Sequence, residues 1–228
     1  MMREPHSVRL RFWNAHCLRK EFRVYYGYVF CRRGMYKRHS IEIGYPIKTP
    51  VMELGHMDGL GGSKGDFLTM RIVVLSDSHG NNAEVLKIVE KHLSEAEAYF
   101  FLGDGDGDLA GAVSAHPDAT IYAVRGNNDY FSVQPTSRIA DLGVAKIYMT
   151  HGHLFPYHSY ADRVYKETVA NGAKIGLFGH THVPYFEYRD GVYIINPGSI
   201  YHPRSGSRRG YAVVDITQAG IVPVRMEV

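Results

Sequence analysis

Five short strings of metal- or phosphate-binding residues recur in this 228-residue chain, each directly behind a short apolar run. Ile72–Leu75 runs into Ser76-Asp77-Ser78-His79-Gly80, and Tyr99–Leu102 into Gly103-Asp104. Ile121–Val124 runs into Arg125-Gly126-Asn127-Asn128-Asp129, Ile147–Met149 into Thr150-His151-Gly152-His153, and Ile175–Phe178 into Gly179-His180-Thr181-His182. Taken singly, a histidine beside an apolar run is a packed core residue, and an aspartate after a strand is a turn or cap. Five strand ends that all deliver Asp, His or Asn are not explained by packing. Mixed carboxylate, imidazole and amide donors suit borderline divalent cations such as Mn, Fe, Co, Ni or Zn better than Ca.

The segments between these strings predict an α/β fold, in which ligands gather where strand C-termini meet their loops. Asn81 or Asn82 caps a helix running to about Leu93, with Val85, Leu86, Ile88, Val89 and Leu93 on one stripe. Asp108 caps a second helix over Leu109–Ala115, with Asp106 and Asp108 facing solvent, and a third helix spans Tyr160–Ala170. After His182 the pattern turns antiparallel. Tyr185–Tyr188 and Val192–Ile195 flank Arg189-Asp190-Gly191 as a hairpin, and Tyr211–Ile216 and Ile221–Val224 give two more strands around Gly220.

The ordered set Asp-x-His, Gly-Asp, Gly-Asn-x-Asp, His-Gly-His and Gly-His-x-His resembles that of the calcineurin-like metallophosphoesterases, in particular their small bacterial and archaeal phosphodiesterase branch. The resemblance covers Met70 to about Ile216. It implies a four-layer α/β/β/α sandwich and dinuclear hydrolysis of phosphodiesters by a metal-bridging hydroxide. One cation is then held by Asp77, His79, Asp104 and His182, and the other by Asp104, Asn127, His151 and His180. Two cations about 3.5–4 Å apart deprotonate water and stabilise both ends of an in-line displacement at phosphorus. Neutral His and Asn ligands keep such a site attractive to a phosphate. Among metals the resemblance favours Mn, and it implies a cytoplasmic homo-oligomer.

Beyond the ligands, Asp129 and His153 are expected to orient them by hydrogen bonds, close to the catalytic chemistry. The Asn196-Pro197-Gly198-Ser199 turn returns the chain toward the site, and Arg204 is placed to clamp a phosphate oxygen. Asn128 departs from the family pattern, where His or Cys is common. Its carboxamide can orient a phosphate oxygen but has no titratable proton to give a leaving group. Two decoys fail. Counted from Asp104, an EF-hand would need Gly where Leu109 stands and Glu where Ala115 stands. Gly105-x-Gly107-x-x-Ala110 mimics a dinucleotide fingerprint but leaves the other four strand ends unexplained.

Residues 1–69 are built differently. They carry 12 Lys and Arg against 6 Asp and Glu, whereas residues 70–228 carry 14 against 17, so only the first segment is basic. Both cysteines, Cys17 and Cys31, lie in that segment, so no disulfide framework can hold residues 70–228 together and a reducing compartment suits them. A short strand over Phe22–Phe30 and a flexible linker over Gly55–Gly65 are the features expected there, in a poorly ordered N-terminal extension that precedes a domain over residues 70–228. A basic, aromatic arm is compatible with contacting nucleic acid or another protein. Its most apolar stretch, Val24–Phe30, holds three tyrosines and lacks a cleavage site, unlike a signal peptide. No apolar run approaches the roughly 18 residues of a membrane helix. The competing function is a non-enzymatic protein-binding scaffold on the same fold, in the manner of retromer's metallophosphoesterase-like subunit. Metal-competent residues at every expected ligand position favour the enzyme.

Overall fold

Apolar side chains fill both faces of the central strands, which is why their sequences are continuous rather than alternating. In β4 (Met70–Leu75), Ile72 and Val74 pack in one core while Val73 and Leu75 pack in another. The computed structural model describes residues 8–11, 21–25, 28–31, 70–156 and 158–228. It divides into two units, Met1–Pro50 and Val51–Val228.

In the first unit, β1 (Val8–Arg11), β2 (Glu21–Tyr25) and β3 (Tyr28–Cys31) form an antiparallel sheet in that order, with Val8 opposite Val24 and Phe22 opposite Cys31. The single strand expected over Phe22–Phe30 is thus two paired strands. The linker expected over Gly55–Gly65 lies outside the described residues.

The second unit follows β4 with α1 (Asn82–His92), β5 (Ala98–Phe101), a 3-10 turn (Asp106–Asp108), α2 (Leu109–Ala115) and β6 (Ile121–Ala123). Then come β7 (Ser137–Asp141), β8 (Lys146–Thr150), α3 (Tyr160–Ala170) and β9 (Ile175–Leu177). The strands β10 (Tyr185–Arg189), β11 (Val192–Asn196), β12 (Gly210–Thr217) and β13 (Gly220–Glu227) complete it. They make two five-stranded sheets, β13-β12-β4-β5-β6 and β10-β11-β9-β8-β7.

Between the sheets, Ile72, Val74, Phe100 and Val214 of the first meet Ile147, Met149, Leu177 and Ile195 of the second. Truncating a buried aromatic such as Phe100 to alanine in a core of this kind costs about 3–5 kcal/mol. The outer face of the first sheet is covered by Val85, Ile88 and Val89 of α1 and Leu109 and Ala112 of α2. Val164 of α3 covers Tyr148, Val192 and Ile194 on the other side. The order is α/β/β/α, as the resemblance implies.

Strand direction brings the loops together. β4, β5 and β6 run parallel with Leu75 opposite Phe101 and Phe101 opposite Ala123, so their C-termini end at one level. β8 and β9 are likewise parallel, with Met149 opposite Leu177. The helices fall close to where the sequence puts them, and Asn81 Oδ1 caps α1 by accepting from the Glu84 N–H. Two local expectations need correction. β7 was not anticipated, because as an edge strand it buries only Ala140 and has no apolar run. Asp108 does not face solvent and makes no capping bond; it is buried and its carboxylate accepts from Ser78 Oγ and, at 2.9 Å, from the Gly80 N–H.

Candidate metal centre

Residues at the ends of β4, β5 and β9 converge on one cluster. Asp77, His79, Asp104 and His182 each offer a ligand atom, and these atoms all lie within 4.8 Å of one another. Three of the four residues are buried and His79 is half-buried. The backbone has left-handed φ at Asp77 (57°), His79 (44°), Asp104 (57°), His180 (66°) and His182 (60°). Non-glycine residues adopt this region at a cost that surrounding structure must support, and such strain concentrates at functional sites. Here these residues stand directly behind β4, β5 and β9.

His151 joins the cluster from β8. Its Nε2 is 3.5 Å from Asp104 Oδ2 and 3.2 Å from Asn127 Oδ1. Asp104 Oδ2 is also 3.8 Å from His79 Nε2, so one carboxylate oxygen lies close to a histidine from each sheet. The His180 backbone N–H donates to Asp77 Oδ2 (3.2 Å), and its ring centroid lies 5.1 Å from that of His151, with the Tyr160 ring edge-on at 5.6 Å.

The ring nitrogens away from the cluster are committed elsewhere. His151 Nδ1–H donates to the Leu102 carbonyl and His182 Nδ1–H to the His202 carbonyl, each at 2.6 Å. A neutral ring fixed in this tautomer directs its Nε2 lone pair into the cluster, as metal-ligating histidines do. There His182 Nε2 faces Asp77 Oδ1 at 3.1 Å, and that buried oxygen has no hydrogen-bond donor. Facing acceptors of this kind fit a cation between them. The electrostatics agree. Burial opposes the imidazolium of His182 and His151, yet Asp77 outweighs it at His182, and Asp104 together with Asp77 at His151, so both are pushed upward. Burial pulls His79 and His180 downward, which favours the neutral, ligating form. Burial would also raise the Asp104 carboxyl, but His151 and two bonds from Asn128 hold it well below the usual carboxylate range.

Asn128 is exposed at the rim; its backbone N–H donates to Asp104 Oδ1 (2.8 Å) and its amide to Oδ2 (2.6 Å). Asp129 is not aimed at the cluster. Its carboxylate accepts the backbone N–H groups of Asp104, Gly105, Asp106 and Gly126 at 2.7–2.9 Å and so ties the β5 and β6 loops together. The close approach requires glycine, because a Cβ on Gly126 would sit 2.1 Å from Asp104 Oδ1. His153 meets His151 and His180 ring to ring (5.4 and 6.3 Å), and its buried Nδ1 has no hydrogen-bond partner. The Arg204 side chain is exposed, and its backbone N–H donates to the His182 carbonyl (3.1 Å).

Several supports were not anticipated. Ser199 Oγ donates to the Asp77 carbonyl (2.7 Å) while accepting from the His202 N–H (2.7 Å), and Ser76 Oγ donates to Asp77 Oδ2 (2.5 Å). Asn196 Nδ2 donates to the Gly179 carbonyl (2.7 Å). The Asn196–Ser199 turn thus fastens the loops that carry Asp77 and His180.

Comparison with known proteins points the same way. Residues 70–219 match the family described as the calcineurin-like phosphoesterase superfamily domain. The chain is 34% identical over 148 residues to the probable metallophosphoesterase YsnB of Bacillus subtilis (strain 168), spanning 64% of this chain and 85% of that protein. It is 25% identical over 169 residues to the phosphodiesterase YfcE of Escherichia coli (strain K12), spanning 64% and 88%. A crystal structure of a predicted phosphoesterase from Streptococcus pneumoniae TIGR4 superposes with a TM-score of 0.58 at 27% identity, over 69% of this chain and 98% of that one. No helix among the described residues is long and apolar enough to cross a membrane.

Proposed function

The chain belongs to the calcineurin-like phosphoesterase superfamily, and on that premise we propose that it is a dinuclear, metal-dependent phosphodiesterase. Asp77, His79, Asp104 and His182 would hold one cation, and Asp104, Asn127, His151 and His180 the other. The observation that carries this reading is the position of Asp104 Oδ2, 3.8 Å from His79 Nε2 and 3.5 Å from His151 Nε2. When bound, two divalent cations, Mn before Fe, Co, Ni or Zn, supply an activated water at neutral pH and neutralise charge developing at phosphorus.

The chain's own residues do the rest. The Leu102 and His202 carbonyls keep His151 and His182 in the ligating tautomer. Asp129 fixes the two loops that carry Asp104 and Asn127. Asn128 and Arg204 are donors at the rim that can hold non-bridging phosphate oxygens, Arg204 through a bidentate fork. Neither they nor Asp129, whose oxygens are taken by backbone N–H groups, provides an acid for the leaving oxygen. The relative YfcE is named a phosphodiesterase, which supports diesters as the substrate class. The absence of cysteine from residues 70–228 suits a reducing compartment such as the cytoplasm.

Metal analysis after equilibration with Mn, paired with hydrolysis of bis(p-nitrophenyl) phosphate, tests the reading. Two equivalents per chain with turnover are expected. Protein that takes up no metal and has no activity would instead be a scaffold built on this fold.

A further inference from the structure

Tyr201 and His202 stand on the loop that leads from the Asn196–Ser199 turn to β12, and both are exposed. The backbone of that loop is fixed against the centre. Ser199 Oγ, which donates to the Asp77 carbonyl, accepts the N–H groups of Tyr201 (3.0 Å) and His202 (2.7 Å). The His202 carbonyl accepts from His182 Nδ1–H, and the Arg204 N–H donates to the His182 carbonyl. Residues 201–204 are thereby tied both to the loop that carries Asp77 and to the loop that carries His182.

These bonds use only the backbone of His202, and any residue except proline could supply them. They do not explain the imidazole. Its ring lies between two others, with its centroid 4.2 Å from that of Tyr201 and 5.7 Å from that of His79. Burial is the main cause that lowers His79, and the approach of His202 lowers it further. The His202 ring is not among the four residues whose ligand atoms gather within 4.8 Å of one another. Neither of its nitrogens has a hydrogen-bond partner among the described residues. A free donor thus borders the ligand set without belonging to it.

We infer that His202 is a substrate-binding residue, whose ring N–H donates to a non-bridging phosphate oxygen of a diester held beside Asp77, His79, Asp104 and His182. The inference rests on the phosphodiesterase reading above and adds a residue from outside the five strings of the sequence. A neutral imidazole carries one N–H donor in either tautomer, so the contact needs no change of charge. A hydrogen bond to an anionic oxygen is roughly twice as strong as one between neutral groups. The ring's seat against Tyr201 holds the donor in place before the phosphate arrives.

Wild type, His202→Ala and His202→Gln are compared, the glutamine retaining an N–H donor. With Mn-loaded protein and bis(p-nitrophenyl) phosphate, His202→Ala should raise KM about tenfold while kcat stays within about twofold, and His202→Gln should recover most of the loss. Calorimetric titration with Mn should give all three proteins the same stoichiometry and affinity. Binding of Mn weakened about tenfold in His202→Ala would make the ring a metal ligand or a structural prop and overturn the inference. An unchanged KM, or a glutamine variant no better than alanine, would overturn it too. Failure of wild type to turn over the diester would defeat the phosphodiesterase reading instead. Titration of the Mn-loaded proteins with inorganic phosphate, which needs no turnover, then decides His202 by itself. Binding about tenfold weaker in His202→Ala sustains the contact, whereas equal binding, or none to wild type, overturns it.

Discussion

His182 Nε2 stands 3.1 Å from Asp77 Oδ1, while the other nitrogen of the ring is already bonded to the His202 carbonyl. Two acceptors at that distance need a positive charge between them, and a proton or a metal cation can each provide it. Protons should therefore compete with metal. Burial resists protonation of His182 and His151, but Asp77 at His182, and Asp104 with Asp77 at His151, raise both above the ordinary histidine value, so competition should begin above pH 6.5. Calorimetric titration with Mn should give weaker binding at pH 6 than at pH 8, with fewer protons released at the higher pH. Affinity that stays level across this range would contradict the arrangement.

Asp104→Asn should weaken both cations and reduce turnover by at least about 100-fold, because an amide lacks the charge and the second equivalent oxygen needed to serve two sites. Asp106→Asn should retain both. Asp108→Asn should fall between them, since Asp108 holds Ser78 and Gly80 of the His79 loop. Metal stoichiometry and initial rates on the three variants check the ranking.

Asp129 gathers four backbone N–H groups from two loops. Asp129→Ala leaves those donors without their acceptor, and a loss of about 3 kcal/mol is expected. For a domain of this size that corresponds to a fall of roughly 6–12 °C in Tm. Thermal unfolding of the metal-free proteins isolates this effect from lost metal binding.

Asn128 has no proton to give a leaving oxygen. In a series of aryl and alkyl phosphodiesters, wild-type rates should fall steeply as the leaving group becomes more basic. Asn128→His should flatten that slope, since general acid catalysis is worth about 10²–10⁴-fold with poor leaving groups. Equal, shallow slopes in both proteins would mean that an acid is present elsewhere.

A chain beginning at Met70 should keep its melting temperature and its hydrolysis, since every proposed ligand and both sheets of the sandwich lie after that point. Loss of either would assign residues 1–69 a part in the domain.

The legible parts of the sequence were those with a repeating physical cause. Val73 and Val74 are both buried, on opposite faces of β4, so the strand appears as an unbroken apolar run. β7 shields only Ala140 and leaves no such trace. The residues that aim side chains at the cluster were visible because His, Asp and Asn are unusual directly behind apolar runs. The contacts that hold them were not. The Leu102 and His202 carbonyls act through backbone atoms that every residue has. Asp108 sits in a Gly-Asp repeat where a buried carboxylate and a solvated one are spelled alike, and only the approach of Ser78 distinguishes them. Asp129 likewise stands beside Asn127 and Asn128 in sequence but is turned to the backbone.

The cluster draws Asp77, His79, Asp104 and Asn127 from the first sheet and His151, His180 and His182 from the second, and the two sheets touch through interdigitated side chains. The separation of Asp104 from His151 is therefore a gauge of how far apart the sheets stand. A dense core transmits rather than absorbs a change in volume. Swapping Met149 or Phe100 for a bulkier or slimmer residue would open or tilt the sandwich by a fraction of an ångström and be registered at the rim, although neither side chain reaches it. The interior of the sandwich then bears on the geometry of the cluster as well as the residues at its rim do. Drift in the core must conserve thickness, position by position, or the two halves of the centre fall out of reach of each other.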